Sequence, residues 1–161
     1  MRKAITLTLN RETRTLDVEP NDLLVDVLRE KLGVTSPKIG CERGDCGACT
    51  VLLDGKSVRS CLILAIEADG CDITTVEGLS RAGLTSLQQS FLKHGAFQCG
   101  FCAPGVVLSA TELLAKNPRP SVPEIKEALG GNLCRCTGYQ PIIDAIKAVS
   151  AAAKKIAGSK G

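Results

Sequence analysis

The chain has no tryptophan, a single tyrosine, three phenylalanines and one histidine among its 161 residues. Aromatic side chains are the stacking platforms of single-strand nucleic-acid binders, so their scarcity argues against that class. An excess of one charge is also missing. Twenty basic against 17 acidic residues leave a formal +3 scattered along the chain, which offers no patch for a polyanion. No uninterrupted apolar run nears the roughly 18 residues of a membrane span. The longest, Cys61 to Ile66, stops at Glu67. At the N-terminus Ile5, Leu7 and Leu9 alternate with Thr6 and Thr8, which is the period of a half-buried strand and not an export signal. There is no nucleophile–base pattern, no phosphate-cradling glycine loop and no dinucleotide fingerprint, so no side chain is placed for bond-making chemistry. What remains is 44% apolar and 23% charged residues, the balance of a folded chain, expected to be cytoplasmic. Its length suits one ordinary domain or two small ones.

Periodicity divides the chain into a strand-rich front and a helix-rich back. Alternating runs at Ala4–Asn10 and Thr13–Glu19, separated by Arg11 and Glu12, predict a hairpin without the favoured Asn-Gly turn. Asn21 or Asp22 is placed to cap a helix carrying Leu24, Val27, Leu28 and Leu32, closed by Gly33. Thr50–Leu53 and Lys56–Cys61 flank Asp54-Gly55, a strong hairpin signal, and Asp72–Val76 adds a last strand. Behind a joint near Glu77–Ala82 the period becomes helical. Thr85 and Gln88 form a capping box for a helix through Leu87, Phe91 and Leu92, closed by Gly95. Pro104 fits the first turn of a second helix with Val106, Val107, Leu113 and Leu114, broken at Asn117-Pro118. A third runs from Ser121 to Gly130-Gly131, with Glu124 in its first turn. The fourth follows Pro141 through Ile142, Ile143, Ile146, Val149, Ala153 and Ile156, with Lys154 and Lys155 near its C-terminus and a frayed tail at 158–161. The prediction is an α+β chain of two units, 1–76 and 77–161, each small enough to need a staple.

The nine cysteines supply it. Cys41, Cys46 and Cys49 read C-x4-C-x2-C, and Cys61 follows one short hairpin later, which is the plant-type ferredoxin spacing for a [2Fe-2S] cluster. Gly40, Gly44 and Gly47 let the backbone come close and take positive φ, so that amides face the cluster sulfurs. Cys99, Cys102, Cys134 and Cys136 form a second set, predicted to meet at the starts of two helices, where free N–H groups and the dipole favour thiolates. The C-x-C pair is tighter than the usual zinc spacing, so iron–sulfur is favoured over a structural zinc protein that organises partners. A disulfide framework fits poorly with an odd count. Cys71 is left over as a structural thiol. His94, near a helix end, reads as a dipole-complementing surface residue rather than a ligand. Arg43 and Arg135 either raise a cluster potential or are simply solvated. With eight thiolates and two oxidised clusters, the formal +3 becomes roughly −1. Two one-electron centres without substrate apparatus describe an electron conduit.

GCERGDCGACTV (40–51), QCGFCAPG (98–105) and GNLCRCTGYQPI (131–142) resemble the signatures of the small [2Fe-2S] subunit of the molybdenum hydroxylases, the xanthine oxidase and aldehyde oxidoreductase family. The likeness spans nearly the whole chain, and Ala103 stands where that family commonly has Thr. The resemblance implies a β-grasp ferredoxin domain followed by an all-α four-helix domain. It implies that Cys41, Cys46, Cys49 and Cys61 hold a distal cluster. Cys99, Cys102, Cys134 and Cys136 would hold one nearer molybdenum, with Gln98 and Cys136 against the pterin. It implies a large partner with molybdopterin, often the cytosine dinucleotide in bacteria, and a medium partner with FAD, in a heterotrimer or a dimer of heterotrimers. A free ferredoxin is the competing assignment. The holoenzyme's substrate is not written in this chain.

Overall fold

The computed structural model describes residues 2–158, with side chains described through residue 151. Strands β1 (Lys3–Leu9), β2 (Glu12–Val18), β3 (Thr50–Leu53), β4 (Lys56–Arg59) and β5 (Asp72–Thr74) form one mixed sheet in the order β2-β1-β5-β3-β4. β1 and β5 run parallel and the other neighbours antiparallel. The alternation in β1 buries Ile5, Leu7 and Leu9 against Val18, Leu24, Leu28, Val51 and Ile73.

Tertiary contacts move several predicted boundaries. The first hairpin turns on Asn10-Arg11, with φ of 52° and 71°, and not on Arg11-Glu12. Thr75 makes this left-handed turn tolerable: its N–H donates to Asn10 Oδ1 at 2.8 Å, and Asn10 Nδ2 donates to Thr75 Oγ1 at 2.9 Å. Neither Asn21 nor Asp22 caps the first helix. Its cap position is Leu23, while the Asp22 carboxylate accepts from Glu19 N–H at 2.9 Å and Lys31 Nζ at 2.6 Å. That helix, α1 (Leu24–Asp26), continues as a π-wound turn (Val27–Lys31), with Leu32 N–H donating to Val27 C=O at 3.0 Å. Asp54-Gly55 turns as predicted, with Leu53 opposite Lys56. β4 stops at Arg59 because Ser60 folds back, its N–H and hydroxyl donating to Cys49 C=O at 3.4 and 2.6 Å, so that Cys61 sits in a 3-10 turn (Ser60–Leu62). β5 stops at Thr74, and Val76 opens the short α2 (Val76–Leu79).

The back half holds α3 (Ser86–Lys93), α4 (Ala103–Lys116), α5 (Val122–Leu129) and α6 (Gln140–Gly158). Capping boxes at Thr85/Gln88 and Ser121/Glu124 start α3 and α5, and Pro104 lies in the first turn of α4. Phe91, Val106, Ala110, Ile125, Ile142 and Ile146 build its core. The side-chain readings at Ala153 to Ile156, and the tail beyond Gly158, lie outside the described residues. The joint is tied to both halves. Glu77 accepts from Ser36 N–H at 3.0 Å, Arg81 Nη1 donates to Asn10 C=O at 2.6 Å, and Gln88 Nε2 donates to Ser80 Oγ at 2.8 Å. Among the described residues no helix is long and apolar enough to cross a membrane.

Candidate metal centres

The loop before β3 carries three of the cysteines. Cys46 N–H points at Cys41 Sγ, 3.4 Å away. The backbone N–H groups of Arg43 and Cys46 hold the Cys41 thiol down to about 7, whereas burial pushes Cys46 up. Cys49 precedes β3 and Cys61 follows β4, so the Thr50–Arg59 register sets them side by side. Burial, with Cys49 against it, pushes the Cys61 thiol to about 11. Gly44 and Gly47 have φ of 85° and 71°, as predicted; Gly40 does not, and its part is close approach. A Cβ there would lie 2.9 Å from Cys46 Sγ.

The second set meets at the other side of the same junction. Cys99 and Cys136 are exposed, with their sulfurs 3.6 Å apart. Cys102 is buried at the cap of α4, while Cys134 and Cys136 lie in the loop ahead of α6, so only one ligand candidate stands at a helix start. Burial, with Cys134 as neighbour, pushes the Cys102 thiol up to about 12. Burial also opposes the Cys134 thiolate, but the Thr137 hydroxyl, 3.2 Å from Sγ, and the Thr137 and Cys136 amides lower it. The Phe101 amide lowers Cys99, and contact with Cys99 raises Cys136. Gln98 Nε2 donates to Cys136 C=O at 3.1 Å, so these two predicted residues meet at the surface.

None of the nine cysteines is joined in a disulfide. Among the described residues no three potential ligands gather as a group for a single metal ion. The sulfurs pair two by two, Cys41 with Cys46, Cys49 with Cys61, Cys99 with Cys136, and Cys102 with Cys134. Two thiolates on one tetrahedral metal, with bonds of about 2.3 Å, stand about 3.7 Å apart. The 3.6 Å between Cys99 and Cys136 matches that spacing.

The two sets share one seam. Leu133 N–H donates to Cys46 C=O at 2.9 Å, and Arg59 Nη2 donates to Gly131 C=O at 2.7 Å. Buried Asn132 donates through Nδ2 to Gly47 C=O at 3.2 Å and Thr50 Oγ1 at 3.3 Å, and accepts from Ser109 Oγ at 2.8 Å. The Tyr139 hydroxyl donates to Asn132 C=O at 3.0 Å and accepts from Cys134 N–H at 2.8 Å. Arg59, Asn132, Ser109 and Tyr139 escaped the sequence reading because spacing does not distinguish a buried hydrogen-bonding side chain from a solvated one; their nearness to the cysteine motifs was the sole signal. His94 ends α3 with Nδ1 2.8 Å from Ser90 C=O, the local contact of a helix-terminal residue. Arg43 is exposed and paired with Asp45 at 2.6 Å, and Arg135 is exposed. The Cys71 thiol, against Glu67 C=O at 3.8 Å, is raised by burial and by Asp54.

A mixed sheet followed by helices, with a cysteine quartet on each, defines a protein with two iron–sulfur modules. Residues 7–74 match the model of the 2Fe-2S iron-sulfur cluster binding domain and residues 75–147 that of the [2Fe-2S] binding domain. The chain is 52% identical over 145 residues to the nicotine 6-hydroxylase small subunit of Paenarthrobacter nicotinovorans, covering 90% of this chain and 88% of that one. It is 52% identical over 144 residues to the nicotinate dehydrogenase small FeS subunit of Eubacterium barkeri, covering 89% and 92%. Quinoline 2-oxidoreductase from Pseudomonas putida 86 superimposes with a TM-score of 0.90 at 53% identity, over 96% of this chain and 97% of that one. The aldehyde oxidoreductase of Desulfovibrio desulfuricans gives 0.90 at 46% identity, over 95% of this chain and 17% of its own. This chain belongs to the [2Fe-2S] subunit family of the molybdenum hydroxylases.

Proposed function

We propose that this chain is the electron-transferring subunit of a cytoplasmic, heteromeric molybdenum hydroxylase. It passes electrons from a molybdopterin site on a large partner to FAD on a medium partner, or to another acceptor. The carrying observation is that the eight sulfurs pair two by two within each set, on either side of one seam, a disposition that suits two [2Fe-2S] clusters. When bound, such clusters store and release single electrons. The chain's own residues do the rest. Cys41, Cys46, Cys49 and Cys61 hold one cluster and Cys99, Cys102, Cys134 and Cys136 the other. Exposed Cys99 and Cys136, beside Gln98, present the second cluster to the molybdopterin-bearing partner, with Gln98 and Cys136 against the pterin. The reading divides the chain at 76/77 into a β-grasp ferredoxin-like domain and a four-helix domain. It rests also on relatives named as the small subunit of a nicotine 6-hydroxylase and the small FeS subunit of a nicotinate dehydrogenase.

Native purification tests this. The expected result is co-elution with larger chains containing molybdenum, about four irons per small chain, and two distinct S = 1/2 EPR signals on reduction. Zinc in place of iron, or a chain that elutes alone, overturns it.

A further inference from the structure

Between the two cysteine sets one chemical connection crosses a single hydrogen bond. Cys46 leads through its own C=O, across 2.9 Å, to Leu133 N–H, and Leu133 is covalently joined to Cys134. The Leu133 side chain does not fix that position, because it is 57% exposed. Position comes from its neighbours. Asn132 is 1% exposed, and its amide is spent on Gly47 C=O, Thr50 Oγ1 and Ser109 Oγ. On the far side Cys134 N–H is held by the Tyr139 hydroxyl, which also donates to Asn132 C=O. Residue 133 is thereby clamped at both ends, and its N–H faces the Cys46 carbonyl.

We propose that Asn132 is a positioning residue for electron passage between the two clusters, holding the Leu133 N–H on the Cys46 carbonyl as the bridge between one ligand set and the other. The inference rests on the ligand reading given above. One electron leaves a reduced cluster, which is oxidised, and reduces the other; no bond forms or breaks and no proton is needed. The bridge works in either direction.

The test is EPR of the fully reduced native complex, in which two nearby S = 1/2 clusters split each other's lines, together with the rate of electron equilibration between the clusters after rapid half-reduction. In Asn132→Ala, with iron content and both signals retained, the splitting is expected to shrink and equilibration to slow. Wild-type splitting and rate in that loaded variant overturn the inference. Should Asn132→Ala fail to load both clusters, Ser109→Ala decides. It removes the donor that orients the Asn132 amide while leaving the Asn132 side chain and every cysteine in place, and the same partial loss is expected. Absence of two signals in the wild type would instead sink the ligand reading.

Discussion

A methyl group on Gly47 would lie 2.1 Å from the carbonyl oxygen of Gly131, closer than any real contact. The two cysteine loops therefore touch through bare backbone, and the same spot is shared by Gly105, whose Cβ would lie 2.3 Å from Gly47 C=O. Gly47 also has φ of 71°, which an L side chain adopts at a cost of about 1–2 kcal/mol. Gly47→Ala is expected to lose that amount plus the collision, at least about 2 kcal/mol, and to lower the melting temperature by roughly 4–8 °C. Gly55→Ala is the control. Its φ is 78° with nothing within 4 Å, so it loses only the backbone contribution. Equal melting temperatures for the two variants would remove the close approach from the account.

The paired sulfurs predict selective loss. Cys102→Ser removes the partner of Cys134 and Cys61→Ser the partner of Cys49. Each variant is expected to fall from about four irons to about two, and to keep the EPR signal of the untouched set. Loss of both signals in either variant would mean that the two sets are not independent.

The sequence made some of this molecule legible because local chemistry decided it. Asp54-Gly55 forms its two-residue turn where predicted, and the Thr85 and Ser121 capping boxes open their helices. Elsewhere distant residues decide. Asn10-Arg11 turns where it does because Thr75, 65 positions away, satisfies the Asn10 side chain. Cys61 arrives in a 3-10 turn because Ser60 is captured by the Cys49 carbonyl. Cysteine spacing carried the candidate centres, but the seam between them is backbone and buried amide, which leave no period. Nothing in the spacing told that Cys102 would be buried against Cys134.

Glu112 ties the front sheet to α4 and gives the junction a pH dependence. Its carboxylate accepts from Ser57 N–H at 2.9 Å, from the Ser57 hydroxyl, and from Lys116 Nζ at 2.5 Å. Burial opposes ionisation, but Lys116 and Ser57 outweigh it and hold the group below its ordinary 4.5. A carboxylate lowered on folding stabilises the fold fully above its unfolded pKa, and that contribution disappears as pH falls through the folded value. Glu112→Gln is therefore expected to be less stable than the wild type at neutral pH, with the gap closing below pH 4.5. Urea unfolding midpoints across that range check the sign. A gap that widens in acid would contradict it.

The last expectation concerns Tyr139, which has φ of 70° and places its hydroxyl between Cys134 N–H and Asn132 C=O. Tyr139→Phe keeps the ring among the hydrophobic side chains packed on the helical core but leaves a donor and an acceptor without their partner. That costs about 1–3 kcal/mol when the groups are shielded from water. The strain falls on the loop of Cys134 and Cys136 and spares the loop of Cys41, Cys46 and Cys49. Iron release to a chelator, followed by EPR, is therefore expected to accelerate for one cluster and not for the other. If both clusters were lost at the same faster rate, the hydroxyl would be supporting the whole junction. If neither changed, solvent would already satisfy the Cys134 amide, and the bracing role of Tyr139 would be wrong.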